Sequence, residues 1–284
     1  MDFFHEIFQY RFLTHALVAC ILSGVACGVA GTYVVSRRLV FLSGGITHAS
    51  FGGIGIAYYF GLNPIGGAMV FALLSALGIE IVSTRQRIRE DSAIGIVWAV
   101  GMAIGIAFIS LTPGYAPNLM SFLFGTILTV TRTDLWALGA LTFFILLLFT
   151  VWMRPILYVA FDSEYARSQG LPVRFISCLM AVVVAATIVL SIRVAGIVLL
   201  ISLLTLPPVI VNALTRSYRR IMWYSVAVAA GGNLAGLWLS YCFDIPAGAT
   251  TIFVLAFALI AVKLVPLCRR KNTGTACTAH EKDR

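Results

Sequence analysis

Charged side chains are scarce in this chain of 284 residues. Only 11% of the residues are Asp, Glu, Lys or Arg, whereas 60% are hydrophobic. Soluble domains carry about 25% charged residues, so this composition excludes an ordinary soluble domain. The mean hydropathy of +0.98 instead indicates a membrane protein. We therefore predict an all-α fold, a polytopic bundle of membrane helices with no soluble enzyme domain.

Motifs for catalysis and nucleotide binding are also missing. The sequence contains no GxxxxGK[ST] phosphate loop, no HExxH and no GxSxG, so it has no visible means of hydrolysing a nucleotide. Its six cysteines form no CxxC pair, and those at 20, 27, 178 and 242 lie in or beside apolar segments, as packing residues do. We predict a chain that is not an enzyme, with no catalytic residue and no bound cofactor.

Two short patterns carry alternatives of low specificity. Cys277 and His280 have a spacing that can contact a metal, although one CxxH in a polar tail is a weak signal. The segment 17–20 resembles a lipoprotein processing site, but residues 1–6 lack the positive charge that a signal peptide needs. Because the apolar run continues past Cys20, we expect an uncleaved first span.

Nine apolar stretches have roughly the 20 residues that a membrane span needs. They cover residues 12–35, 40–60, 64–82, 92–111, 134–153, 174–192, 194–214, 220–241 and 247–267. The segment 119–130 is too short to cross and is predicted to be re-entrant or a half-helix. We expect eight or nine transmembrane helices in a single membrane domain, residues 1–268, followed by a polar cytoplasmic tail, residues 269–284.

The positive charges predict the orientation. They cluster between apolar segments, which is typical of membrane orientation and not of nucleic-acid binding. We place the C-terminal tail in the cytoplasm, together with the loops near 37 and at 83–91, 154–174 and 215–220. Of the 20 Lys and Arg residues, only Arg11, Arg132 and Arg193 then remain outside. This orientation requires an external N-terminus, a cytoplasmic C-terminus and an odd number of spans.

Small residues and prolines indicate how the spans pack. Glycines recur at four-residue spacing at 24 and 28, 101 and 105, and 232 and 236, which lets helices approach closely within a bundle or at a dimer seam. Pro207 and Pro208 remove two backbone donors inside a span. They predict a helix break that faces protein or a water-filled cavity.

Few ionisable side chains fall at membrane depth, namely His15, His48 and Glu80. Glu80 shortly precedes Arg85, so we expect it to reach the inner headgroups or to pair with an arginine. His48 lies among glycines and small hydroxyl residues, either as a packed histidine or as a functional group. A neutral imidazole is a common ligand of zinc and also suits iron and other transition metals.

The loop 154–174 contains the signals of a short helix. Asp162 and Ser163 are predicted to cap it, and Gly170 and Pro172 to end it. A short helix between spans suits the docking of a soluble partner, or is a plain interfacial connector.

Six motifs in order resemble the membrane permease of ATP-binding-cassette importers that take up zinc, manganese or iron. They are the glycine-rich first span with VSRR at 35–38, ITHASFGG at 46–53, REDSAIGI at 89–96, FDSEYA at 161–166 with Gly170, LLTLPP at 203–208, and FDIPAGAT at 243–250.

The resemblance implies a multi-pass protein of a bacterial plasma membrane, working as a homodimer in membrane lipid. It implies cytoplasmic ATPase subunits that hold the ATP, and an external metal-binding receptor protein. It further implies that the 160–170 helix couples to the ATPase, with Asp162, Ser163, Glu164, Ala166 and Gly170 as coupling residues.

One position departs from the family pattern. The family has an aspartate one helical turn before the histidine, where this chain has Gly44. Manganese prefers oxygen ligands, whereas zinc and ferrous iron accept nitrogen, so the missing carboxylate leaves the ion open. We expect His48 to contact the transported metal, with two copies of it approaching across the dimer axis. The alternatives are import of an iron chelate or haem, or a proton-driven transporter with His48 and Glu80 as relay.

Overall fold

The protein is described by a computed structural model that covers residues 11–85, 89–112, 125 and 130–277. These residues form ten helices and no strand, which confirms the all-α fold. The helices are α1 (Arg11–Ser36), α2 (Val40–Tyr59), α3 (Pro64–Arg85), α4 (Glu90–Leu111), α5 (Arg132–Val151), α6 (Met153–Phe161), α7 (Ser163–Ser168), α8 (Val173–Asn212), α9 (Tyr218–Phe243) and α10 (Ala247–Cys277).

All of these helices except the short α6 and α7 are long and apolar enough to cross a membrane, eight in number within the described ranges. In hydrocarbon every backbone N–H and C=O has to be satisfied within the chain, and continuous helices achieve this. Of the predicted re-entrant segment 119–130, only Gly125 and Val130 fall inside the described residues. The remainder of that prediction lies outside them. The possible metal contact of Cys277 and His280 also lies outside the described residues.

Helix α8 doubles back on itself at Gly196. With 40 residues it would measure about 60 Å if straight, twice the thickness of the hydrocarbon. Ser191 contacts Cys27, and Leu204 lies against Gly31, four residues further along α1. Thirteen residues of straight helix would span about 20 Å, but four span only about 6 Å. The chain therefore reverses direction, and α8 supplies the two predicted spans 174–192 and 194–214.

The backbone break in α8 is not at the prolines. Gly196, with φ 74° and ψ 165°, is its non-helical residue, whereas Pro207 and Pro208 lie inside helix that continues to Asn212. The predicted helix break is thus corrected to a position eleven residues earlier. The reason is that glycine alone adopts this backbone conformation readily, while a membrane helix tolerates proline when neighbouring segments pack against the freed carbonyls. The Leu204 carbonyl, which would otherwise accept from residue 208, lies against Gly31.

The three predicted glycine pairs make seams within one chain. A Cβ added at Gly24 or Gly28 would lie 2.7 Å from a backbone Cα of α9. One added at Gly101 would lie 2.6 Å from the Cα of Ala49 in α2, and one at Gly236 would lie 2.7 Å from the Cα of Thr251 in α10. One added at Gly232 would meet the Leu255 side chain of α10 instead. These glycines therefore bring helices of the same bundle together, rather than forming a dimer seam.

Polar side chains tie the bundle at a few further points. The Asn233 amide of α9 donates to the Cys20 carbonyl of α1 at 3.0 Å. Arg193, close to the α8 turn, pairs with Asp134 in the first turn of α5 at 2.7 Å. Asp134 also completes the capping box of α5 with Thr131. Cys20 is 1% exposed within a continuous α1, as expected of a packing residue.

Candidate functional site

His48 lies in α2, which is the most enclosed of the eight helices that can cross a membrane. The helix packs against α3 and α4, and its glycines allow that approach. A Cβ at Gly52 would lie 2.8 Å from the Gly101 carbonyl oxygen, and one at Gly55 2.5 Å from that of Gly105. His48 lies on the same side of α2 as these two glycines, one and two turns before them. The imidazole is therefore held where α2 meets α4.

The imidazole of His48 is stacked on the indole of Trp98 from α4. The ring centroids are 4.5 Å apart and the planes differ by 1°. Trp98 is itself 38% exposed, and His48 is half-buried. Stacking covers one face of the imidazole, whereas the nitrogen lone pair that binds a metal lies in the ring plane. Among the described residues neither nitrogen of His48 has a hydrogen-bond partner, so the ligand edge stays open.

Gly44, where the family has an aspartate, is loosely packed. The nearest atom to a Cβ added at Gly44 would be the Ile201 Cδ1, 3.8 Å away, which is ordinary van der Waals contact. A Cβ at the next residue, Gly45, would collide with the Ile94 side chain. The packing thus has room for a side chain at position 44, although this chain has none there.

His48 is not part of a ready-made metal site among the described residues. Within the part of the chain that the structure describes, no group of three or more His, Cys, Asp or Glu side chains is arranged to hold a metal. The hydroxyl of Thr47 bonds to the Ser43 carbonyl, and that of Ser50 to the Thr47 carbonyl. These hydroxyls therefore donate to their own helix, and the described residues of one copy place no complete set of metal ligands around His48.

A second region lies on the loop between α5 and α8, in α6 and α7. The Asp162 carboxylate accepts the backbone N–H groups of Glu164 and Tyr165 at 3.1 and 2.9 Å, so Asp162 is the N-cap of α7. Gly170, with φ +74°, follows the end of the helix, and nothing lies within 4 Å of a Cβ added there. The short helix has the cap and end that the sequence predicts.

Helix α7 is exposed on all sides but one. Ala166 is completely buried, whereas Ser163, Glu164 and the remainder of the helix are exposed. The Leu171 N–H donates to the Ala166 carbonyl at 3.1 Å, which closes the turn behind the helix. One small side chain therefore seats α7 on the bundle and leaves its outer surface free, as a docking element requires.

Glu80 belongs to a charged group at the end of α1. Arg37 donates to the Tyr33 hydroxyl at 3.2 Å. Burial works against the charge of Arg37, but Tyr33, Glu80 and Glu90 outweigh it and raise the pKa of the arginine. The expectation that Glu80 interacts with an arginine agrees with this arrangement.

The fold and the two regions define a multi-pass membrane protein of the transport class. Its enclosed helix with one open imidazole suits passage of a ligand, and its exposed capped helix suits a partner outside the membrane. The chain belongs to the ABC 3 transport family, whose pattern matches residues 9–265. Members of this family are the membrane subunits of transporters and not their ATPases.

Individual relatives agree with this family. The chain is 40% identical over 259 residues to an uncharacterized membrane protein of Synechocystis sp., which covers 90% of this chain and 91% of that protein. It is 34% identical to the manganese transport system membrane protein MntC of Halalkalibacterium halodurans, covering 90% and 89%. The solved structure of PsaBC from Streptococcus pneumoniae in complex with Fab has a TM-score of 0.82 at 28% identity, covering 92% and 94%.

The sequence does not identify Trp98 as the partner of His48. It stands 50 residues after His48 in another apolar span, and a tryptophan in such a span carries no local sign of its partner. The glycines at 101 and 105 are the nearest signal, because they mark the α4 face that approaches another helix. The contact itself depends on which helices pack together.

Proposed function

We propose that this chain is the permease of an importer that carries a divalent transition-metal ion across the plasma membrane. The observation that carries the proposal is the open ligand edge of His48 on the most enclosed crossing helix. The similarity to manganese transport system proteins supports a metal as cargo. Zinc, manganese and ferrous iron remain the candidates, and the imidazole suits zinc and ferrous iron better than it suits manganese.

The cargo site needs a second copy of the chain. One imidazole is too few ligands for a transition metal, which binds four or more donors. Two copies related by a two-fold axis present the same residue twice, so a pair of His48 side chains would face each other. Water supplies the remaining positions, which keeps binding weak enough for release.

The energy would come from separate ATPase subunits. We assign their docking to α7 and its flanks, with Asp162 capping the helix, Ala166 seating it and Ser163, Glu164 and Gly170 on the exposed surface. An external metal-binding receptor protein would deliver the ion. These partners follow from the family resemblance, and the exposed surface of α7 is the support that the fold adds.

Replacement of the imidazole tests the proposal. In cells that depend on the transporter, His48→Ala is expected to lower metal uptake by about tenfold or more, since it removes the nitrogen ligand that each copy is proposed to provide. Uptake is measured with radioactive zinc, manganese and iron, beside the amount of permease in the membrane. Normal uptake by His48→Ala at a normal membrane level would overturn the proposal.

His15→Ala is the matched control. His15 is also half-buried in a crossing helix, α1, and has no assigned role. We expect it to retain uptake, and equal losses in the two variants would mean that the bundle merely needs its histidines for packing.

Proteoliposomes separate the remaining alternatives. Uptake of a chelate or haem in preference to the free ion would favour the wider cargo. Uptake driven by a proton gradient without any ATPase would favour the relay through His48 and Glu80.

A further inference from the structure

A cavity of about 330 Å³ opens at the cytoplasmic ends of α1, α8 and α9, beside the end of α6. It is separate from His48 and from the exposed surface of α7. Two arginines line it, Arg38 after α1 and Arg216 after α8. None of the described residues that line it is acidic. The cavity therefore has a net positive wall.

Among the described residues neither Arg38 nor Arg216 has an ion pair or a side-chain hydrogen bond, so both are available to bind an anion. The ion pair that the structure records in the described residues joins Arg193 to Asp134 and involves neither Arg38 nor Arg216. By contrast the neighbouring Arg37 is engaged with Tyr33. Asp162 directly follows the cavity residue Phe161, but it does not line the cavity, and its Oδ1 caps α7. An unpaired guanidinium readily accepts a phosphate oxygen.

The backbone at Arg38 adds a second observation. Its φ of 61° is left-handed, a conformation that glycine normally supplies at a helix end. The Leu39 N–H bonds to the Val34 carbonyl at 2.8 Å, and the Arg38 N–H to that of Val35 at 3.1 Å, so this turn is fixed. An arginine in this conformation destabilises the fold relative to glycine. Since the strained residue also lines a cavity, its side chain is a candidate for ligand binding.

The rest of the lining is mixed. Val35, Pro208, Ile221 and Phe161 are apolar, and Phe161 is 66% exposed, while Thr32, Ser36, Asn212 and Tyr218 are polar. Apolar and polar side chains beside two arginines suit the glycerol and upper acyl chains of a lipid better than a free inorganic ion. The predicted orientation puts the cavity on the cytoplasmic side, where anionic lipids lie. We propose that this cavity binds the phosphodiester headgroup of an anionic lipid of the cytoplasmic leaflet.

Binding to lipids of defined headgroup tests the proposal. The purified full-length chain is stripped of lipid, offered phosphatidylglycerol or phosphatidylethanolamine, and weighed by native mass spectrometry. Retention of phosphatidylglycerol is expected to exceed that of phosphatidylethanolamine. Arg38→Gln and Arg216→Gln should each weaken it by roughly fivefold, the worth of one arginine at an anionic surface.

Arg220→Gln is the matched control. Arg220 is exposed in the first turn of α9 but does not line the cavity. Equal weakening by Arg220→Gln would mean general surface charge and overturn the site. Unchanged binding in both cavity variants, each checked for folding by size-exclusion chromatography, would also overturn it.

Two further arms identify the source of the anion. Displacement of the lipid by millimolar inorganic phosphate would mean a free-phosphate site and contradict the lipid. Loss of bound phosphatidylglycerol from the assembled transporter, but not from the permease alone, would mean that an acidic segment of the ATPase fills the cavity, which also contradicts it.

Discussion

Gly44 and Gly45 are neighbours in the sequence that differ in what their surroundings admit. The contact of 3.8 Å at Gly44 leaves room for a side chain, while the Ile94 side chain closes off Gly45. The glycine at 44 is thus not required by packing. Its effect is chemical, since it withholds a carboxylate from the face that carries His48.

Restoring that carboxylate is expected to change the preference among ions. Gly44→Asp puts an oxygen ligand one helical turn from the imidazole, and manganese gains more from oxygen than zinc does. We expect the ratio of manganese to zinc uptake to rise by roughly tenfold, equivalent to about 1.4 kcal/mol. Competition uptake with both ions present measures it.

Gly44→Asn is the control, because it has the same size without the charge. If Gly44→Asn raises the ratio of manganese to zinc uptake as much as Gly44→Asp does, the effect comes from side-chain shape and not from charge. If Gly44→Asp reaches a normal level in the membrane and leaves the ratio unchanged, the proposed role of this face of α2 is contradicted.

His48 and Trp98 differ in how far a single sequence reveals them. His48 was identified because an imidazole at membrane depth is chemically unusual. Trp98 was not, because its stacking on His48 depends on the packing of α2 against α4. Local chemistry is visible in one chain, whereas the partner of a side chain belongs to the tertiary fold.

The ends and breaks of the helices differ in how local their causes are. The cap of α7 was predictable because Asp162 and Gly170 act through bonds to residues within a few positions. The break in α8 was not, since the prolines gave a stronger local signal than Gly196. Proline limits a helix locally, but Gly196 acquires its conformation from the reversal of the whole segment.

Replacing Gly196 with alanine is expected to destabilise this turn. Its φ of 74° and ψ of 165° belong to a region almost confined to glycine, and a side chain there costs about 1–3 kcal/mol. The thermal midpoint of the detergent-solubilised protein should fall, which a thiol-reactive unfolding assay measures.

Gly231→Ala is the same substitution in a helical position with nothing within 4 Å. It should leave the midpoint unchanged or raise it, because alanine favours a helix by about 0.5–1 kcal/mol. If Gly196→Ala behaves like Gly231→Ala, the turn is not strained by a side chain.

At the scale of the whole molecule, the proposed cargo site and the proposed docking segment are separate regions that have to be coupled. His48 lies within the bundle and α7 projects from it. Variants in the two regions are therefore expected to fail in different ways.

Ala166→Leu tests this separation. Overpacking a completely buried alanine costs about 1–3 kcal/mol and pushes α7 from its seat. We expect ATPase subunits to co-purify several-fold less with this variant, while His48→Ala retains them. Quantitative immunoblotting of the purified transporter provides the measurement.

The exposed Ala107 of α4 gives the control, as Ala107→Leu adds the same volume outside any tight contact. Full co-purification with Ala166→Leu, or equal loss with Ala107→Leu, would contradict the docking role of α7.

The glycine seams also divide the bundle into blocks. Seams at which backbones touch leave no side chains to slide or change rotamer, so the helices that they join move together. One block consists of α1, α9 and α10. The other consists of α2, α3 and α4, in which Gly53 of α2 and Gly67 of α3 lie against each other. The α8 hairpin touches both blocks. Because the Leu204 backbone of α8 also lies against Gly31 of α1, the second half of α8 belongs with the first block. Any change of access between the two sides of the membrane is then expected to move the seam at which α8 packs on α2 and α3.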